Sequence, residues 1–94
     1  MKLSQICKEI KGLACLQGSM DTEVLDIIYD SRKIKAGTMF VCMVGAVTDG
    51  HKYIPDAIEK KASVIVVERR EEAVAIPKEI TVLLADSTRH ALAL

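Results

Sequence analysis

The sequence has 94 residues, the usual size of one compact domain, with room for one core and one shallow site. Its 13 basic and 13 acidic residues cancel, and only 3% of the residues are aromatic. Because clustered Lys and Arg and stacking rings are missing, the chain lacks the electrostatic footprint of a nucleic-acid-binding protein. Half of the residues, 50%, are hydrophobic, which argues for a folded globular domain and against intrinsic disorder.

The three cysteines are Cys7, Cys15 and Cys42, an odd number with spacings that fit no zinc signature. We expect free, mostly buried thiols that act as small hydrophobic residues, as suits a reducing cytosol. No apolar run approaches the roughly 20 residues of a membrane span, and the N-terminus lacks the apolar segment of a signal peptide. The sequence therefore predicts a soluble, cytoplasmic domain that binds no metal and no membrane.

The first predicted element is a helix, because apolar residues recur at helical spacing from Leu3 to Ile10. Ser4 is a candidate cap for this helix, and Gly12 is a candidate stop. The next segment, residues 13–16, carries no clear pattern and ends at Gly18.

Four apolar segments of strand length follow, three of them without polar interruption, as in strands covered on both faces. They are residues 24–29, 38–44, 63–67 and 81–85. A helix beginning at Pro55 separates the second from the third, and another begins near Arg89. The charged residues 68–72 are interpreted as a solvated turn or helix start. The pattern predicts an α/β fold, a small single domain with a largely parallel or mixed sheet flanked by helices.

In such sheets ligands bind beyond the carboxyl ends of the strands, where residues 30–33 and 45–51 form two candidate loops. In the first loop the Ser31 hydroxyl could bind a ligand, and Arg32 could hold a phosphate or pair with an acid. The alternative is a local turn in which Asp30 and Ser31 bond their own backbone and Arg32 is a surface charge. These residues alone favour the turn.

In the second loop, Gly45 and Gly50 would let backbone N–H groups approach a phosphate or a base. Neither G-x-G-x-x-G nor the ATP-binding G-x-x-x-x-G-K-[ST] occurs in the chain, and Asp49-Gly50 alone favours a simple turn. Asp49 and His51 could suggest acid–base chemistry, but no nucleophile lies beside them. We interpret His51 as a turn or helix-cap histidine and His90 as solvent-facing, and we expect no catalytic residue.

The combined string is more specific than its parts. Residues 29–42 read YDSRKIKAGTMFVC, residues 49–54 read DGHKYI, and residues 86–93 read DSTRHALA. Together with VIVVE at residues 64–68, they resemble the N-terminal signature of Mur ligases of the MurE and MurF types over nearly the whole chain. Tyr29 before Asp-Ser-Arg is MurE-like, since MurF-type domains usually have Thr there. Lys61 and Ser63 stand where many members read Gly-Ala.

The resemblance implies that residues 1–94 are the N-terminal UDP-muramoyl-peptide-binding domain of a three-domain ligase. Such ligases use ATP and magnesium in a central domain, here expected after Leu94, to add an amino acid or dipeptide to a UDP-N-acetylmuramoyl-peptide in peptidoglycan synthesis. The chain alone would then be inactive and would hold no cofactor. Which amino acid is added, lysine or diaminopimelate, and the oligomeric state stay open, as do a MurF-type parent and a stand-alone binding module.

The resemblance also implies which residues contact the UDP substrate. They are Tyr29, Ser31, Ala46, Val47 and Thr48. The loop residues at 46–48 would contribute through backbone N–H groups and shape, with Thr48 the strongest polar side chain. Supporting roles fall to Asp30, Arg32, Asp49 and His51.

Overall fold

A computed structural model describes residues 1–10 and 12–88. Its helices are α1 (Leu3–Glu9) and α2 (Ile54–Glu59), and its strands are β1 (Leu13–Gln17), β2 (Ile27–Ile28), β3 (Met39–Val41), β4 (Val64–Val67) and β5 (Thr81–Ala85). Short 3-10 helices span Ser31–Lys33, Gly50–Tyr53 and Arg70–Ala75. Within the described residues, no helix is both long enough and apolar enough to cross a membrane. The helix predicted near Arg89, with His90, lies outside them.

The five strands form one mixed sheet in the order β1-β5-β4-β3-β2. Strands β2, β3, β4 and β5 are parallel to one another, and β1 runs antiparallel to β5 at one edge. The predicted α/β fold is therefore confirmed, with a sheet that is mixed through its first strand alone.

Both faces of the sheet are covered, which explains the uninterrupted apolar runs. Alternate strand residues such as Val41, Val66 and Leu83 pack with Leu3 and Ile6 of α1. The intervening residues face the other way and pack with α2 and with Ile76, which follows the third 3-10 helix. Phe40, at the centre of this second layer, is fully buried.

Two predicted strands are longer than the observed ones. Strand 24–29 shrinks to Ile27–Ile28, because the Asp26 carboxylate accepts the Ile27 N–H and Leu25 is 74% exposed. Strand 38–44 shrinks to Met39–Val41, because the chain beyond Val41 turns into a hairpin whose stem joins Val44 to Asp49.

Other local predictions also need correction. Residues 13–16, which carry no clear sequence pattern, belong to edge strand β1. Ser4 does not cap α1, because the helix begins one residue earlier and the Lys2 N–H donates to the Gln5 side chain. The cysteines are free, but Cys15 is exposed and Cys7 is half-buried, so only Cys42 fits the predicted burial.

Candidate functional site

The four parallel strands end at the same edge of the sheet, which we call the carboxyl edge. Residues 29–33 follow β2 there, and residues 42–49 follow β3. Glu68 and Arg69 follow β4, and residues 86–88 follow β5. The fold thus brings both sequence-predicted loops to one edge, since β2 and β3 are hydrogen-bonded neighbours.

In the first loop, Asp30 makes the hydrogen bonds that stabilise the turn. Its Oδ1 accepts the backbone N–H of Arg32 at 3.0 Å and caps the 3-10 helix Ser31–Lys33. The Arg32 guanidinium donates from Nε and Nη2 to the two carboxylate oxygens at 3.1 and 3.0 Å. These side-chain hydrogen bonds lower the pKa of Asp30 to about 2. The local-turn interpretation is therefore right for Asp30, and Arg32 is engaged in an ion pair.

The turn interpretation does not extend to Ser31. Within residues 1–10 and 12–88, its hydroxyl makes no hydrogen bond, so it does not bond its own backbone. Tyr29, two residues before it, has 66% of its surface exposed. The segment after β2 therefore carries an exposed aromatic ring and a hydroxyl that no described protein group binds.

The second loop is a hairpin whose tip is residues 45–48. Its stem joins Val44 and Asp49, and the Gly45 N–H donates to the Thr48 carbonyl at 2.8 Å. Val47 at the tip is 98% exposed. Among the described residues, the N–H groups of 46–48 donate to no protein acceptor. Their role in substrate binding stays a prediction.

Gly50 fixes where this hairpin leaves the sheet. Its N–H donates to the Met43 carbonyl at 2.7 Å, and a Cβ added here would lie 2.7 Å from the Met43 nitrogen. That distance is too short for any real side chain. Gly50 does not have a positive φ, so its backbone conformation does not require glycine. Glycine is required at position 50 because the backbone of β3's continuation lies too close for a Cβ.

His51 is buried, with 5% of its surface exposed, and it links the hairpin to β4. Its Nε2 accepts the Glu68 N–H at 3.0 Å. Because a backbone N–H can only donate, the ring proton lies on Nδ1, which donates to Asp49 Oδ1 at 2.6 Å. The turn-histidine interpretation gave the location of His51 but missed this bridging role.

Asp49 is held by two elements at once. It accepts the backbone N–H of His51 at 2.9 Å and the Arg69 Nη2 at 2.8 Å. These hydrogen bonds, led by the one from the His51 backbone, keep the pKa of Asp49 well below its ordinary value. The prediction that 68–72 is a solvated turn or helix start is confirmed in that a 3-10 helix begins at Arg70. It missed that Glu68 and Arg69 have partners outside the segment, Thr88 and Asp49.

Thr88 completes the arrangement from β5. It is fully buried, and Glu68 Oε1 accepts both its N–H at 2.5 Å and its hydroxyl at 3.0 Å. Its Oγ1 in turn accepts the Val44 N–H at 3.3 Å. Sequence reasoning treated Thr88 only as part of a helix cap, because nothing local signals a partner 44 residues away.

The fold and these loops define a small α/β domain in which four loops lie beyond the carboxyl ends of its parallel strands. Residues 24–93 match the family described as "Mur ligase family, catalytic domain". The chain belongs to the Mur ligase family, which confirms the resemblance found in the sequence.

Two curated relatives are UDP-N-acetylmuramoyl-L-alanyl-D-glutamate–2,6-diaminopimelate ligases. The chain is 45% identical over 95 residues to that of Clostridioides difficile (strain 630), covering 99% of this chain and 18% of the relative. It is 40% identical over 87 residues to that of Clostridium perfringens (strain 13 / Type A), covering 90% and 17%. The chain therefore spans less than a fifth of the length of these relatives.

The fold is also found among solved structures. MurF from Acinetobacter baumannii superimposes with a TM-score of 0.75 at 28% identity, covering 97% of this chain and 19% of that one. MurF from Thermotoga maritima in complex with ADP gives a TM-score of 0.55 at 27% identity, covering 71% and 14%.

Proposed function

We propose that this chain is the N-terminal substrate-binding domain of an ATP-dependent ligase that adds a diamino acid to UDP-N-acetylmuramoyl-L-alanyl-D-glutamate. The names of the curated relatives support this reaction and favour diaminopimelate as the amino acid added. The observation that carries a binding role is that two open loops meet at the carboxyl edge, one with a serine hydroxyl that no described protein group uses.

Some residues contact the UDP substrate directly, and others hold these contact residues in place. Ser31 donates to a substrate oxygen, and Tyr29 offers a ring face beside it. The backbone N–H groups of 46–48 supply further donors at the hairpin tip. The Asp30–Arg32 pair shapes the first loop, while Asp49 and His51 hold the second.

The chemistry of ligation belongs in this proposal to the other domains of a longer protein in the cytoplasm. The sequence contains no ATP-binding phosphate loop, and the described residues hold no cluster of three or more metal-ligating side chains. ATP and magnesium are therefore assigned to the central domain, and the 94 residues alone should turn over no ATP. ATP hydrolysis by this chain that a magnesium chelator abolishes would contradict that assignment.

Binding is tested by titrating the folded chain with UDP-N-acetylmuramoyl-L-alanyl-D-glutamate in a calorimeter. One neutral hydrogen bond contributes about 0.5–1.5 kcal/mol, so Ser31→Ala should weaken affinity by about two- to twelvefold. Ser4→Ala is the control, because Ser4 lies on α1 and its N–H pairs with Met20, away from the carboxyl edge. Equal affinity of wild type and Ser31→Ala, with both folded, would remove Ser31 from the site.

In the whole enzyme the same substitution has a kinetic signature. Because Ser31 would contact the UDP end, far from the reacting carboxylate, it stabilises ground state and transition state alike. Ser31→Ala should raise KM for the UDP substrate and leave kcat and the KM for ATP nearly unchanged. A fall in kcat at unchanged KM would place Ser31 in the chemistry instead.

A MurF-type parent is the second candidate, because solved MurF structures share the fold over 97% of this chain. The acceptor separates the two: a diamino acid joined to the muramoyl-dipeptide, or D-alanyl-D-alanine joined to the muramoyl-tripeptide. A stand-alone binding module would bind the UDP substrate without either reaction.

A further inference from the structure

The hairpin at residues 45–48 is anchored at both sides of its stem by side chains from the segments that follow β3, β4 and β5. On one side, the Val44 N–H donates to Thr88 Oγ1. On the other, Asp49 is bound by His51 and Arg69. The exposed tip itself has no comparable side-chain support among the described residues.

The donor directions of this cluster are fixed by the chemistry of its members. The Val44 N–H can only donate, so Thr88 Oγ1 accepts this hydrogen bond. The Thr88 hydroxyl in turn donates a hydrogen bond to Glu68 Oε1. The Glu68 N–H must also donate, so His51 Nε2 accepts it. Glu68 therefore joins the two sides of the stem, through its carboxylate toward Val44 and through its backbone toward His51.

Burial makes the Thr88 hydroxyl hard to replace. Thr88 is 0% exposed, and its hydroxyl is the acceptor for the Val44 N–H. If the hydroxyl is removed, that N–H loses its partner and the stem must shift to find another. The first residues to move would be those of the tip, which contact the substrate in the proposed function.

We infer that Thr88 and Glu68 are positioning residues that hold the 45–48 hairpin in the geometry that binds the UDP substrate. The inference rests on the proposed function and assigns positioning roles to residues that follow β5 and β4 and lie outside both predicted loops. Thr88 and Glu68 act on the hairpin indirectly, by holding Val44 and His51. The Glu68 carboxylate and the Thr88 hydroxyl are hydrogen-bonded to each other.

The test compares three threonine variants of this chain. Thr88→Val keeps the shape but removes the hydroxyl, and Thr88→Ser keeps the hydroxyl. Thr81→Val is the matched control, because Thr81 is 2% exposed and its hydroxyl bonds Thr22 and Ser19 at the opposite end of β5. Each is assayed for affinity for UDP-N-acetylmuramoyl-L-alanyl-D-glutamate, for melting temperature, and for amide hydrogen exchange at 44 and 45.

Thr88→Val should weaken substrate affinity by about two- to twelvefold and speed exchange at 44 and 45, while Thr88→Ser stays near wild type. Thr81→Val should lower the melting temperature without changing affinity. Wild-type affinity in Thr88→Val, or an equal loss in Thr81→Val, overturns the inference. If wild type itself does not bind, the proposed function fails, and unchanged exchange in Thr88→Val would show separately that the threonine does not hold the hairpin.

Discussion

Lys61 follows the C-cap residue of α2 in a backbone conformation that favours glycine, and we predict that Lys61→Gly stabilises the protein. Its φ is +63°, the only positive φ of a non-glycine residue in the described part of the chain. The Lys61 N–H donates to the Ile58 carbonyl at 3.1 Å, and the Ala62 N–H donates to the Ala57 carbonyl at 3.0 Å. This pair of bonds is the Schellman motif, whose left-handed position is usually glycine.

The expected gain follows from two opposing terms. A left-handed conformation costs an ordinary L-residue about 1–2 kcal/mol, which glycine would recover. Glycine also makes the unfolded chain more flexible, which costs about 0.4–1 kcal/mol. Taking the middle of each range, about 1.5 and about 0.7 kcal/mol, the net stabilisation is about 0.5–1 kcal/mol. For a domain of this size, that corresponds to a rise in melting temperature of about 2–8 °C.

The assay is urea unfolding followed by circular dichroism, with Lys60→Gly as control. Lys60 is also exposed and carries the same charge, but its φ of −85° gives glycine no advantage. Lys60→Gly should therefore lose about 0.4–1 kcal/mol. If Lys61→Gly is destabilised as much as Lys60→Gly, the strain argument is wrong, because only the conformation distinguishes the two sites.

Three further predictions concern the carboxyl edge and the thiols. Gly50→Ala should destabilise the protein by about 1–3 kcal/mol, because its Cβ would clash with the backbone of Cys42 and Met43. The control Gly45→Ala should change stability little, because its Cβ would lie 3.8 Å from the nearest atom. Equal melting temperatures of the two variants would contradict this prediction. A maleimide should label Cys15 much faster than Cys42, because burial raises the pKa of Cys42 to about 12, and equal rates in the native protein would refute the placement. The pKa of Asp49 is lowered on folding, so its contribution to stability is present above the unfolded value of about 3.9 and is lost as pH falls. The stability gap between wild type and Asp49→Asn in urea unfolding should therefore shrink below about pH 4, and a constant gap from pH 7 to 2 would exclude this linkage.

The central strands could be predicted because strands buried on both faces consist of apolar residues. Residues 64–67 and 82–85 are apolar without interruption because α1 covers one face of the sheet and α2 the other. Edge strand β1 has no such uninterrupted apolar run. It is half exposed and exists because it pairs with β5, a partner almost 70 residues later in the chain.

The same division holds at the candidate site. The sequence by itself predicted the α/β fold, placed both loops beyond strand ends, and carried the family signature, since these depend on local composition and motif. The local turn at Asp30 was also among the sequence predictions, because its hydrogen bonds reach only two residues along the chain. Tertiary structure alone decided that Glu68 joins His51 to Thr88. The physical reason is register: parallel pairing of β3, β4 and β5 brings together residues that lie 17 to 44 positions apart, and no local pattern encodes that pairing.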